Sequence, residues 1–125
     1  MKLEEITSQE RTTIAAYGNG GFRVGEHQRV EGSVLLTPKG YYPWPVRVHQ
    51  DITLATLSQI TEMADDLELL IVGMGENMAF LNREVRAALE GYGIAVEIMA
   101  TGAAARTYNV LLTEGRQVAA ALIAI

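Results

Sequence analysis

From Val118 to Ile125 the chain runs through eight consecutive side chains without a polar atom. A strand of that kind has to be covered on both faces, so it belongs in the middle of a sheet with a layer on either side. Ahead of it stands Thr101 to Arg116, TGAAARTYNVLLTEGR, and ahead of that a short apolar run from Ile94 to Met99. Strand, helix, strand is the grammar of an α/β core. Thr101 is placed to cap the helix, and Gly102 to leave its first amides open to close approach.

The same grammar extends upstream. Leu67 to Gly73 reads as a compact apolar strand ending in Gly73-Met74-Gly75. Asn82 opens a helix with Val85, Leu89 and Tyr92 on its inner face and Arg83, Arg86 and Glu90 toward water; Gly91 or Gly93 stops it. The C-terminal half is therefore β-α-β-α-β, with right-handed crossovers laying the helices over the sheet. In the N-terminal third, Thr12–Tyr17, Phe22–Val24 and Val30–Thr37 alternate with turns at Gly18–Gly21 and Gly25–Gln28, giving a β-meander. The prolines of Pro38–Pro45, PKGYYPWP, lack a donor and restrict their neighbours, which predicts a surface connection. Val46 and Val48 flank Arg47 in a short strand. Leu54, Leu57, Ile60 and Ala64 predict an amphipathic helix of about three turns, capped by Asp51 or Thr53. Met1 to Arg11 is polar and is expected to be poorly ordered. The expected architecture is one three-layer α/β domain over residues 1–125, built on a mixed sheet.

Charge and composition remove several function classes. A net charge of −5 gives no basic face for nucleic acid. The absence of cysteine excludes disulfides, thiolate nucleophiles and cysteine zinc sites. The charged N-terminus, MKLEEITSQE, does not read as a signal peptide, and no apolar run approaches the ~20 residues of a membrane-spanning helix. A soluble cytoplasmic protein without direct membrane insertion is the expectation.

Catalytic signatures are equally sparse. Gly18-Asn-Gly-Gly-Phe-Arg lacks a P-loop lysine and is followed by a β pattern, so it reads as a hairpin turn. His27 and His49 have no second ligand at metal spacing, and no metal or cofactor is expected. Ser8, Ser33 and Ser58 stand in no nucleophile elbow, and the adjacent Asp65 and Asp66 read as a solvated turn. No catalytic residue is assigned.

Two surfaces remain. Loops after strand C-termini gather at one edge of an open sheet, where ligands bind. There Gly73, Gly75, Thr101, Gly102, Arg106 and Asn109 form a candidate site, the helix amides and Arg106 holding an anion and Asn109 orienting it. The competing reading has Arg106 and Asn109 bonding loop carbonyls to tie the meander to the core, with Tyr108 as core; it is the preferred one. Tyr41, Tyr42 and Trp44 bring three of the eight aromatic rings into one proline-stiffened segment. They either cover the core edge or anchor an interface.

The series Tyr17-Gly18 through Phe22-Arg23-Val24, Gly32-Ser33, Pro43-Trp44, Gly73-x-Gly75, Met99-x-Thr101-x-x-Ala104-x-Arg106-Thr107-Tyr108-Asn109 and Glu114-Gly115-Arg116 resembles a small α/β family of unknown activity from bacteria and archaea. Its eukaryotic relatives include mitochondrial complex I (NADH dehydrogenase) assembly factor 3. The resemblance spans Thr12 to Ile125 and implies three layers around a mixed sheet. It also implies an assembly role rather than catalysis, in a prokaryotic cytoplasmic member. Met74 stands where the family commonly has Thr, and Ala105 where it commonly has Cys, which removes a hydroxyl and a thiol from the candidate site. The expected function is a non-catalytic protein-interaction or complex-assembly module. Its protein partner is unidentified and belongs to a larger or membrane-associated complex. The alternative is a small-anion-binding protein or enzyme at the Gly73–Gly75/Thr101–Arg106 edge, and homo-oligomerisation stays open.

Overall fold

The computed structural model describes residues 12–125; the expectation for Met1 to Arg11 lies outside the described residues. Among the described residues two sheets stack with three helices. β1 (Ile14–Gly18), β2 (Gly21–Val24) and β3 (Gln28–Glu31) form an antiparallel three-stranded sheet. β4 (Ser33–Thr37), β5 (Gly40–Trp44), β6 (Leu69–Gly73), β7 (Ala95–Met99) and β8 (Val118–Leu122) form the second, in the order β5-β4-β8-β6-β7. β6, β7 and β8 run parallel, while β4 is antiparallel to both of its neighbours. Of the helices, α1 (Ser58–Thr61) is a single turn, α2 spans Arg83–Gly91 and α3 spans Thr101–Thr113.

β8 lies at the centre, and every one of its residues is buried. Its two faces serve two cores. Val118, Ala120 and Leu122 pack with α3 and the meander, through Ala104, Tyr108, Phe22 and Ile14. Ala119 and Ala121 pack on the other side with α2 and the helical segment before β6, through Leu89, Val85, Leu57 and Ile60. Period-two alternation with no solvent face is what an all-apolar strand must adopt.

The hairpin turn between β1 and β2 is built as its composition predicts: Asn19 at φ 55° and Gly20 at φ 78°. The α2 boundaries also follow. The Asn82 side chain accepts from Glu84 N (2.8 Å) and Val85 N (3.1 Å), and Gly93 takes a positive φ just past the end.

Five local expectations are corrected. Val30–Thr37 is not one strand: Gly32, at φ 81°, breaks it and hands β4 to the other sheet. The Pro38–Pro45 stretch is not a loop, because Gly40–Trp44 forms β5. As an edge strand it tolerates Pro43, which is exposed and whose missing N–H interrupts no central ladder. Val46–Val48 makes no strand: the Ser33 hydroxyl donates to Val46 O (2.6 Å), and Asp51 accepts from Arg47 N and Val48 N. The three-turn helix at Leu54–Ala64 shrinks to α1 between 3₁₀ turns at Ala55–Leu57 and Ala64–Asp66. There the Trp44 indole donates to Thr56 O (2.8 Å), the acceptor a continuous helix would offer to the Ile60 amide. Tyr92 is half exposed, not inward, since it sits beyond the last residue of α2.

Candidate functional site

Thr101 does not cap α3. Ala100 holds that position, and the Thr101 side chain, 0% exposed, points instead into the sheet edge. Its hydroxyl donates to Ile123 O (2.7 Å) and accepts from Gly75 N (3.0 Å), while its amide donates to Gly75 O (2.8 Å). Met74 N bonds Met99 O (2.9 Å), and Ile123 N bonds Gly73 O (3.0 Å). These bonds stitch together the ends of all three parallel strands. Gly73 is glycine for lack of room: a Cβ there would sit 3.0 Å from Thr101 Cα and from Leu122 Cδ2. Gly75, at φ 110°, takes a conformation that side chains rarely adopt.

The first turn of α3 is similarly occupied. A Cβ on Gly102 would fall 2.6 Å from the Tyr17 hydroxyl, so the glycine seats that ring over the helix start. Arg106 is exposed, and its Nη1 donates to the same hydroxyl at 3.1 Å. Asn109 is turned to β1: its Oδ1 accepts from Ile14 N (2.9 Å) and its Nδ2 donates to Ile14 O (2.8 Å). Tyr108 is buried, and its hydroxyl donates to Thr12 O (3.2 Å). Tyr108 and Asn109 therefore strap the meander onto α3. Arg106 differs from the bracing expectation, since its acceptor is a side-chain hydroxyl and not a loop carbonyl.

Two clefts among the described residues lie elsewhere along this end of the sheet. One cleft of about 620 Å³ is lined by Arg47, Val48, His49, Glu76 and Met78 with Met74 and Ile123 among its apolar residues, and of the expected ligand residues it includes only Gly75. A second, of about 750 Å³, is lined by Ser33, Trp44, Val46, Arg47 and Asp51. Arg47 lines both, and among the described residues its guanidinium has no acceptor. The sequence reading gave it no role; its only signal was a cation inside an apolar Val-x-Val setting. Met78 and Phe80, 59% and 85% exposed, were also missed. Their signal was two large apolar residues in a loop just before the Asn82 cap.

The three aromatics do not form one exposed cluster. Neighbours on a strand point to opposite faces, so Tyr41 packs against the α3 side and Tyr42 against the α2 side. Trp44 is 3% exposed and belongs to the core, which removes it as a surface anchor. Among the described residues no group of three His, Asp or Glu is placed to hold a metal ion, and no helix is long and apolar enough to cross a membrane.

The chain is similar to an uncharacterised protein of Rhodobacter capsulatus, 38% identical over 111 residues that cover 88% of this chain and 82% of that protein. It is also similar to human NADH dehydrogenase [ubiquinone] 1 alpha subcomplex assembly factor 3, 37% identical over 110 residues, 88% of this chain and 59% of that one. The chain thus spans about three-fifths of the mammalian relative. Among solved structures it matches an outer membrane protein from Bartonella henselae, so described, with a TM-score of 0.87 and 40% identity over 93% of this chain and 97% of that chain. A Mth938-like domain from Bordetella pertussis matches with a TM-score of 0.80 and 33% identity over 98% and 92%. A family model matches residues 14–123, and the chain belongs to that family, described as protein of unknown function (DUF498/DUF598).

Proposed function

We propose that this protein is a non-catalytic assembly module that binds a protein component of a membrane-associated complex of the NADH dehydrogenase kind. One observation carries the reading: Thr101 at the sheet edge where an α/β enzyme would keep its reactive groups, and Tyr108 and Asn109 farther along α3, are consumed in internal bonds. The names borne by the eukaryotic relatives support the same direction. A cytoplasmic, bacterial setting is part of the proposal, as is partner contact through the partly buried Tyr41 and Tyr42 on β5. Deleting the gene should lower the amount of fully assembled NADH dehydrogenase in membranes, read by native gel and by NADH:quinone activity. Expression of the wild-type chain should restore both. Undiminished assembly in the deletion strain would sink the proposal.

A second reading rests on Arg106. Its guanidinium is exposed and, among the described residues, bonds only a neutral hydroxyl, so none of them compensates its charge beside the α3 N-terminus. A small anion bound there at 100 times its dissociation constant would stabilise the fold by about 2.7 kcal/mol. Thermal unfolding in increasing inorganic phosphate should then show a rise that Arg106→Ala abolishes. No rise in the wild type eliminates this reading.

A further inference from the structure

The loop from β6 to α2 carries an exposed projection beside a hollow. Phe80 is 85% exposed and Met78 59%, and Met78 lines the cleft together with Val48, itself half exposed. Single exposed apolar side chains are ordinary, but Met78 and Val48 meet at one cleft, and Phe80 stands two residues along the same loop, which together mark an interaction surface. The two ends of the projection are anchored. Gly75 is bonded on both its amide and its carbonyl to Thr101, while Leu81 is buried and Asn82 caps α2.

The charges point to the occupant. Arg47 and Glu76 line the same cleft, yet neither has an ion partner among the described residues. A face that holds both a knob and a hole, and an unpaired charge of each sign, is complementary to itself across a twofold axis. Self-association through the edges of the five-stranded sheet is obstructed by contrast. β5 carries Pro43 at its edge, and on β7 the Arg86 guanidinium occupies the Val96 carbonyl (3.0 Å).

We propose that this face binds a second copy of the chain, Phe80 and Met78 of each protomer entering the other's cleft and Arg47 of each pairing with Glu76 of the other. The inference is independent of the assembly reading, because its test needs only the purified protein. Sedimentation equilibrium of the full chain from micromolar to millimolar concentration should show monomer passing to dimer. Phe80→Ser should remain monomeric with an unchanged melting temperature. Arg47→Glu and Glu76→Arg should each raise the dimer dissociation constant by about tenfold or more, since each sets like charges face to face. The double variant Arg47→Glu/Glu76→Arg should recover dimerisation. Monomer mass at every concentration overturns the proposal, as does a dimer indifferent to Phe80→Ser, or a double variant that associates no better than the single ones.

Discussion

The carboxamide of Asn109 meets both the amide and the carbonyl of Ile14, so one side chain stands in for a neighbouring strand along the free edge of β1. Truncating it leaves two part-buried backbone groups without partners, and such losses run to about 1–3 kcal/mol for each unsatisfied group. Arg106, three residues earlier, makes one exposed bond to Tyr17. Asn109→Ala should therefore lower stability in urea denaturation by at least about 1 kcal/mol, whereas Arg106→Ala should stay within about 0.5 kcal/mol of wild type. Equal losses for the pair would mean that Arg106 braces the fold as firmly as Asn109 does. That Arg106 and Asn109 share one helix face was legible from their i, i+3 spacing. Which of the two spends its side chain internally depended on β1 lying alongside, a neighbour 95 residues away in the chain.

Among the elements, the start of β6 and the approach to β8 are clamped by one carboxylate. Glu68 accepts from Arg116 Nη2 (3.1 Å) and from Gln117 N (3.1 Å). The hydrogen bond from Arg116, then that from Gln117, holds its pKa below the ordinary glutamate value of 4.5. A carboxylate with a depressed folded pKa adds stability that is fully present above 4.5 and is lost as pH falls through the lower folded value. Glu68→Gln should accordingly be less stable than wild type at pH 7, with the gap closing on acidification below 4.5; urea midpoints across that window would check it. A gap that persists in acid would mean that the charge is immaterial. Elements bounded by local chemistry, such as α2 with its Asn82 cap and Gly93 stop, were readable in advance. Those bounded by contacts were not. β5 is a strand because β4 offers it a ladder, and α1 is short because Trp44 takes the Thr56 carbonyl of the turn that precedes it.

At the scale of the whole molecule, both cores meet on β8, and its three central alanines set how closely the layers approach. Ala120 is 0% exposed, paired with Leu36 on one side and Ile71 on the other, and belongs to the core beneath α3. Ala120→Leu should therefore overpack that layer and cost about 1–3 kcal/mol, seen as a lower melting temperature without loss of secondary structure. An unchanged melting temperature would mean that the layers are looser than their burial indicates. The β-α-β-α-β half, the central place of Val118–Ile125 and the hairpin at Asn19-Gly20 were determined by sequence alone, because each rests on periodicity or on backbone preferences that act over a few residues. Only tertiary structure decided that Gly32 separates two sheets, that Thr101 is a buried staple, that Trp44 is core, that Phe80 is exposed and that Arg47 has no acceptor among the described residues. Those outcomes depend on which groups from distant parts of the chain arrive within bonding reach, and spacing along a chain does not encode that arrival.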